Sequence, residues 1–184
     1  MLVKSIPTIF PKSIAYKLVL AFIGSIILAL LAQLRIPVPF SPVPITGQTF
    51  GVLLIGGILG SQIGTISIIM YLFEGISGLP VFAGIGAGPA YLLGSTGGYL
   101  LGFVPGAFLT GFIIENLNEV KFYKTIAATL AGTILIFACG LSWLGAQIGW
   151  TNALSIGLIP YTSGAVIKIV VASILIFVFH RKNN

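Results

Sequence analysis

Residues 35–60 read RIPVPFSPVPITGQTFGVLLIGGILG. Pro37, Pro39, Pro42 and Pro44 lie between an apolar run that ends at Leu34 and another that opens at Gly47. Proline fixes its own φ, lacks an N–H and pushes the residue before it toward extended backbone, so this stretch is a stiff, shaped loop. The polar cluster Thr46-Gly47-Gln48-Thr49 closes the loop and starts the second apolar run. A stiff, polar-ended loop at the mouth of a membrane helix is a place to hold a small solute.

The surrounding composition makes that helix a membrane helix. Of 184 residues, 57% are hydrophobic and 7% charged, with a mean hydropathy of +1.14. A water-soluble domain of this size does not cover its surface with so few charges. No charge occurs between Arg35 and Glu74, and none between Glu74 and Glu115. The chain is therefore read as an all-α integral membrane protein embedded in the lipid bilayer. At ~20 residues per span its length accommodates about six helices in one transmembrane domain, 1–184. The net charge of +6 does not indicate a nucleic-acid partner, because the basic residues flank the apolar runs as membrane anchors do. A single cysteine, Cys139, forms no intrachain disulfide and reads as a packing residue.

Outward from the proline loop, residues 1–14 form a basic surface segment with Lys4 and Lys12. The first helix is predicted over Ala15–Leu34, a run long enough to span, so it is not read as a cleavable signal. The loop itself occupies 35–46. The run Gly47–Phe73 is too long for one span, and Gly60–Gln62 is the predicted site of a tight turn between two shorter helices. Residues 75–93, rich in glycine with Pro80 and Pro89, read as irregular apolar backbone, which at membrane depth must lie against protein or a water-lined cavity. Further helices are predicted over Gly94–Ile114, Thr125–Leu144 and Ser155–Phe179, with a charged loop at 115–124. With six spans, seven of the nine Lys and Arg residues fall on the side of both termini and the 115–124 loop, against Arg35 alone opposite. That asymmetry predicts cytoplasmic termini, with the loops 35–46 and 75–93 external.

Few residues are able to carry chemistry. Lys168 follows Pro160 by eight positions, roughly 12 Å along a helix. A lysine at that depth is costly unless paired or wet. It reads as a counter-charge for a solute or as the partner of Glu74, the other charge set within an apolar run. Thr46 is an N-cap candidate or a ligand, and Thr49 lies beside it. The amide of Gln48 offers two donors and an acceptor, suited to a ureido or carbonyl group. Tyr91, Tyr99 and Tyr161 are interfacial anchors or cavity residues. Ser25 and Ala29 form a small-xxx-small pair that lets helices approach, internally or against a partner. No GxxxxGK[ST] occurs, so no ATP-binding loop is present, and one histidine with one cysteine does not make a metal site. Three glutamates and no aspartate give no catalytic cluster, Glu115 and Glu119 read as solvated, and no cofactor is implied.

Three stretches carry a resemblance: AQLRIPVPFSPVPITGQTFGVLLIGGILG (32–60), GLPVFAGIGAGPAYLLGSTGGYLLGF (78–103) and Pro160 to Lys168. Over about Ala21 to Lys168 the chain resembles the biotin-specific S components, the BioY family, of energy-coupling-factor (ECF) transporters. The resemblance implies a six-helix S-component fold that binds biotin from outside. It also implies a transmembrane scaffold partner and two cytoplasmic ATPases, with residues 35–46 covering the vitamin. The candidate substrate-binding set is Thr46, Gln48, Thr49, Tyr91, Lys168 and Glu74, and the resemblance implies scaffold docking at Ser25 and Ala29. Where the family usually reads Gly-Asp-x-x-Lys, this chain has Gly164-Ala165-Val166-Ile167-Lys168, so an acceptor expected for ureido N–H groups is missing. Glu74 stands where the family usually has an apolar residue. The alternatives are an S component for another small carboxylated solute and a non-transport membrane scaffold protein.

Overall fold

The computed structural model describes residues 13–183 and, apart from one short strand pair, is built of helices. Helix α1 covers Ile14–Gln33, and β1 (Arg35–Ile36) pairs antiparallel with β2 (Ile45–Thr46). Then come α2 (Gln48–Ile76), α3 (Pro89–Leu93), α4 (Gly97–Glu115), α5 (Phe122–Ile148), α6 (Trp150–Gly157), a 3₁₀ turn at Ile159–Tyr161 and α7 (Thr162–Asn183). Five apolar stretches are long enough to cross a membrane: Ile14–Gln33, Gln48–Ile76, Gly97–Glu115, Phe122–Ile148 and Trp150–Lys182.

The second of these is two segments. Gly60 has φ 84° and ψ 175°, a conformation open essentially to glycine alone. The chain reverses there. Gln48 and Tyr71 would stand about 35 Å apart on a continuous helix, yet Gln48 Nε2 donates to Tyr71 Oη at 2.7 Å. A Cβ on Gly64 would come within 2.9 Å of Gly56 Cα, so the arms touch backbone to backbone. The hairpin predicted from the glycines is present, and the bundle has six apolar segments. The arms, 48–59 and 61–76, are each shorter than the ~30 Å hydrocarbon core.

The apex is held by Glu115, which corrects the reading of that residue as a solvated loop carboxylate. Ser61 donates to it from its backbone N at 2.9 Å and from Oγ at 2.5 Å. An acid at the first turn of the second arm satisfies orphan N–H groups and complements the helix dipole. Glu119 is the solvated one. It pairs with Lys121 at 3.0 Å, and that hydrogen bond holds its carboxyl below the usual range.

The last helix starts later than predicted. Pro160 removes a donor and sits in a 3₁₀ turn, so α7 begins at Thr162. Residues 145–154, between the helices predicted over Thr125–Leu144 and Ser155–Phe179, are the end of α5, a glycine turn at Gly149 (φ 85°) and the start of α6. Helix α5 extends past both predicted ends, and the loop expected at 115–124 shortens to 116–121. Of the stretch 75–93 expected to be irregular, 77–88 is so, whereas Gly75 and Ile76 end α2 and Pro89–Leu93 form α3. Fully buried Phe82 anchors 77–88 against Tyr71 and stacks on Tyr91 with ring centroids 4.9 Å apart.

The small-residue face of α1 turns inward. Ala21, Gly24, Ser25, Leu28 and Ala32 are buried, and a Cβ on Gly24 would meet Ser67 of the second hairpin arm. Ser25 Oγ donates to Glu74 at 2.8 Å. The expectation of Ser25 as part of an external docking face is corrected, because its hydroxyl is spent inside the bundle. Ala29 is half-buried at the edge of that face. Lys4 and Lys12 lie outside the described residues.

The Gly60 geometry yields a test. Gly60→Ala should destabilise the protein by about 1–3 kcal/mol, because alanine is strained at that φ/ψ. Removing the cap with Glu115→Ala should cost about 1–3 kcal/mol by orphaning the Ser61 donors. Thermal unfolding of the purified protein in detergent reads both. Wild-type melting of Gly60→Ala would contradict the reversal.

Candidate functional site

The proline loop, the hairpin and the last helix converge on one partly open cavity. The loop contributes Val43 to Thr46, and the first arm of α2 contributes Gln48, Thr49 and Leu53. Tyr99, Leu100 and Phe103 of α4 and Phe137 of α5 form an apolar and aromatic wall. Helix α7 closes the far side with Ala165 and Lys168, one turn apart.

Lys168 is the cation of this cavity. Its Nζ donates to the Thr46 carbonyl at 2.6 Å and to Thr49 Oγ1 at 2.9 Å. An ammonium has three donors, so one remains. Among the described residues the one salt bridge is Lys121–Glu119, so Lys168 has no carboxylate partner. Glu74 is not among the lining residues and bonds Ser25 instead, so the Lys168–Glu74 pair considered from sequence does not form.

Gln48 is 5% exposed and largely committed. Besides its bond to Tyr71, its Oε1 accepts from Thr46 Oγ1 at 2.9 Å. One N–H and one lone pair remain for a ligand. Thr46 Oγ1 also accepts from the Gln48 backbone N at 3.3 Å, a local turn bond of the kind expected at a helix start. Tyr91 lines the cavity and donates to the Ala83 carbonyl at 3.1 Å. Burial raises its phenol above the ordinary value, so it stays neutral.

Tyr99 and Tyr161 are also turned inward, each 8% exposed, rather than outward as belt anchors. Tyr99 donates to the Gly157 carbonyl at 2.8 Å. Tyr161 donates to the Val43 carbonyl and sits 2.7 Å from Ser41 Oγ, which lies 2.7 Å from the Ile156 carbonyl. These contacts latch the proline loop onto the 156–161 turn. Ser41, Phe103, Thr133 and Phe137 were not singled out from sequence. Phe103, Thr133 and Phe137 sit mid-helix in apolar runs with no local signal, and Ser41 is a lone hydroxyl among prolines.

The comparisons with known proteins bear on the same architecture. The family model described as "BioY family" matches residues 6–184. The chain belongs to the BioY family. Among its relatives, "Biotin transporter BioY" of Thermotoga maritima (strain ATCC 43589 / DSM 3109 / JCM 10099 / NBRC 100826 / MSB8) is 38% identical over 141 residues, 76% of this chain and 82% of that protein. "Biotin transporter BioY" of Rhizobium etli (strain ATCC 51251 / DSM 11541 / JCM 21823 / NBRC 15573 / CFN 42) is 36% identical over 166 residues, covering 84% and 87%. A solved S-component for biotin from an ECF-type ABC transporter superposes with a TM-score of 0.83 at 29% identity, over 91% of this chain and 92% of that one. The BioY fold expected from the quoted motifs is thus present, and the chain is a multi-pass membrane protein.

The latch predicts a measurable change. In a Cys139→Ala background, a Val43→Cys reporter should react slowly with a water-soluble maleimide, because Val43 is 7% exposed. Tyr161→Phe removes the donor to the Val43 carbonyl and should raise the labelling rate about fivefold to tenfold, in line with a hydrogen bond of roughly 1–1.5 kcal/mol. An unchanged rate would mean that the loop is held by packing alone.

Proposed function

We propose that this chain is the biotin-binding S component of an ECF-type transporter, working with a transmembrane scaffold and two cytoplasmic ATPases. The observation that carries the reading is the pairing of an apolar, aromatic cavity with one cation that has no internal carboxylate. Biotin has the complementary form. Its bicyclic body suits the Tyr99–Phe103–Phe137 wall, and its carboxylate suits Lys168 and Thr49. The N-terminus of α2 lies at the same spot, and its dipole favours an anion there. The uncommitted N–H and lone pair of Gln48 are assigned to the polar groups of the ring system. Glu74 is assigned to holding α1 against the hairpin, and Ala29, rather than Ser25, to the edge open to a scaffold helix. The Lys and Arg asymmetry supports cytoplasmic placement of the end that carries Lys17, Lys121, Lys124, Arg181 and Lys182, with the latched loop outside.

A second reading, an S component for another small carboxylated solute, is favoured by Ala165. The cavity offers no carboxylate next to Lys168 to accept ureido N–H groups.

Calorimetric titration separates the two. The native chain should bind biotin, and Lys168→Met should weaken it about tenfold to a hundredfold, the worth of a charge-assisted hydrogen bond. Biotin methyl ester, which lacks the charge, should lose little on the same substitution. The variant should stay folded, because a carbonyl and a hydroxyl, not a carboxylate, lose their partner. Full biotin affinity in Lys168→Met would remove the ligand role. Absence of biotin binding in both the native chain and Ala165→Asp would favour the second reading.

A further inference from the structure

A second depression lies between the first arm of α2 and α7, and it shares no lining residue with the solute cavity. The first arm of α2 contributes Leu54 and Ile58 to one side, and α7 contributes Leu175, Val178, Phe179 and Lys182 to the other. It is a shallow depression, more open than enclosed. The two helices are clamped at its base. A Cβ on Gly57 would come within 2.4 Å of Ile176 Cδ1, and His180 Nε2 lies 2.9 Å from the Gly57 carbonyl. Beyond this clamp the side chains of Leu175 and Val178 are 44% and 54% exposed.

The trough has one polar lining side chain, and that side chain is at its end. Lys182 is exposed there, with exposed Arg181 beside it. Among the described residues the carboxylates near this end of the bundle are committed elsewhere, Glu115 to Ser61 and Glu119 to Lys121. The mouth is therefore cationic while the trough is apolar. A free anion has no use for the trough, and a wholly apolar chain has no use for the mouth. An amphiphile with an acyl chain and a negative head satisfies both, and a membrane-spanning chain is surrounded by such molecules. Basic residues at a helix end near the headgroup layer attract anionic lipid in this way.

We infer that the α2–α7 trough binds one anionic phospholipid, with an acyl chain along Leu54, Ile58, Leu175 and Val178 and the phosphate at Lys182. The site is distinct from the solute cavity and does not depend on which solute that cavity takes.

The test is native mass spectrometry of the purified full chain in neutral detergent. The probes are equimolar dioleoyl phosphatidylglycerol and dioleoyl phosphatidylcholine. One phosphatidylglycerol should be retained per chain, about fivefold or more in preference to phosphatidylcholine, given what one basic residue near a surface contributes. Lys182→Gln should lower that preference about fivefold, and Lys182→Arg should keep it. Val178→Trp fills the trough at an exposed position that does not bear on folding, and should reduce retention of both lipids. Equal retention of the two lipids by the native chain would overturn the inference, as it would if the trough served a partner protein's helix. So would unchanged phosphatidylglycerol retention in Lys182→Gln or in Val178→Trp.

Discussion

The Lys168 ammonium is the contact on which this account depends. It joins α7 to the start of α2 through the Thr46 carbonyl and the Thr49 hydroxyl. Both partners are neutral, so the charge is solvated but not cancelled. A cation left in that condition within a membrane protein raises the energy of the empty state and lowers that of any state in which an anion joins it. The short first arm of α2 brings its own N-terminal dipole to the same point, which deepens the preference.

That contact exists because of the reversal at Gly60. Without it, residues 48–76 would form one long rod. The break instead returns the chain so that Gln48 meets Tyr71, and it lets the first arm stand between α4 and α7. Glu115 holds the apex from the C-terminal end of α4, and His180 reaches Gly57 from α7. Three elements therefore converge on a helix too short to span the bilayer alone. The proline loop is then carried over the cavity mouth, where Ser41 and Tyr161 fasten it. Its prolines limit what the unlatched loop gains in entropy, so few hydrogen bonds suffice to close it.

Much of this was legible in the sequence because a membrane punishes charge and irregular backbone so heavily. Charge-free runs marked the spans, and the rarity of charge singled out Lys168 and Glu74. The glycines around Gly60 marked the turn, and four prolines marked the loop. What remained illegible depends on partners far away in the chain. Glu115 looks like any loop acid until Ser61, 54 residues earlier, is placed beside it. Glu74 could not be assigned without seeing Ser25 face it across α1, and Ser25 could not be told from an external contact for the same reason. Helix α6 was missed because Thr151, Asn152 and Ser155 give it a loop's composition, while Pro160 moved the start of α7 past the predicted point. The aromatic wall is hidden because Phe103 and Phe137 are apolar residues in apolar runs, and only the bundle shows which side they face.

The most direct measurement is a structure of the chain with biotin bound. The account predicts that the biotin carboxylate lies within hydrogen-bonding distance of Lys168 Nζ, beside Thr49 and the first turn of α2, with the ring system against Tyr99, Phe103 and Phe137. A carboxylate directed away from Lys168, with the ammonium still satisfied by Thr46 and Thr49 alone, would contradict it.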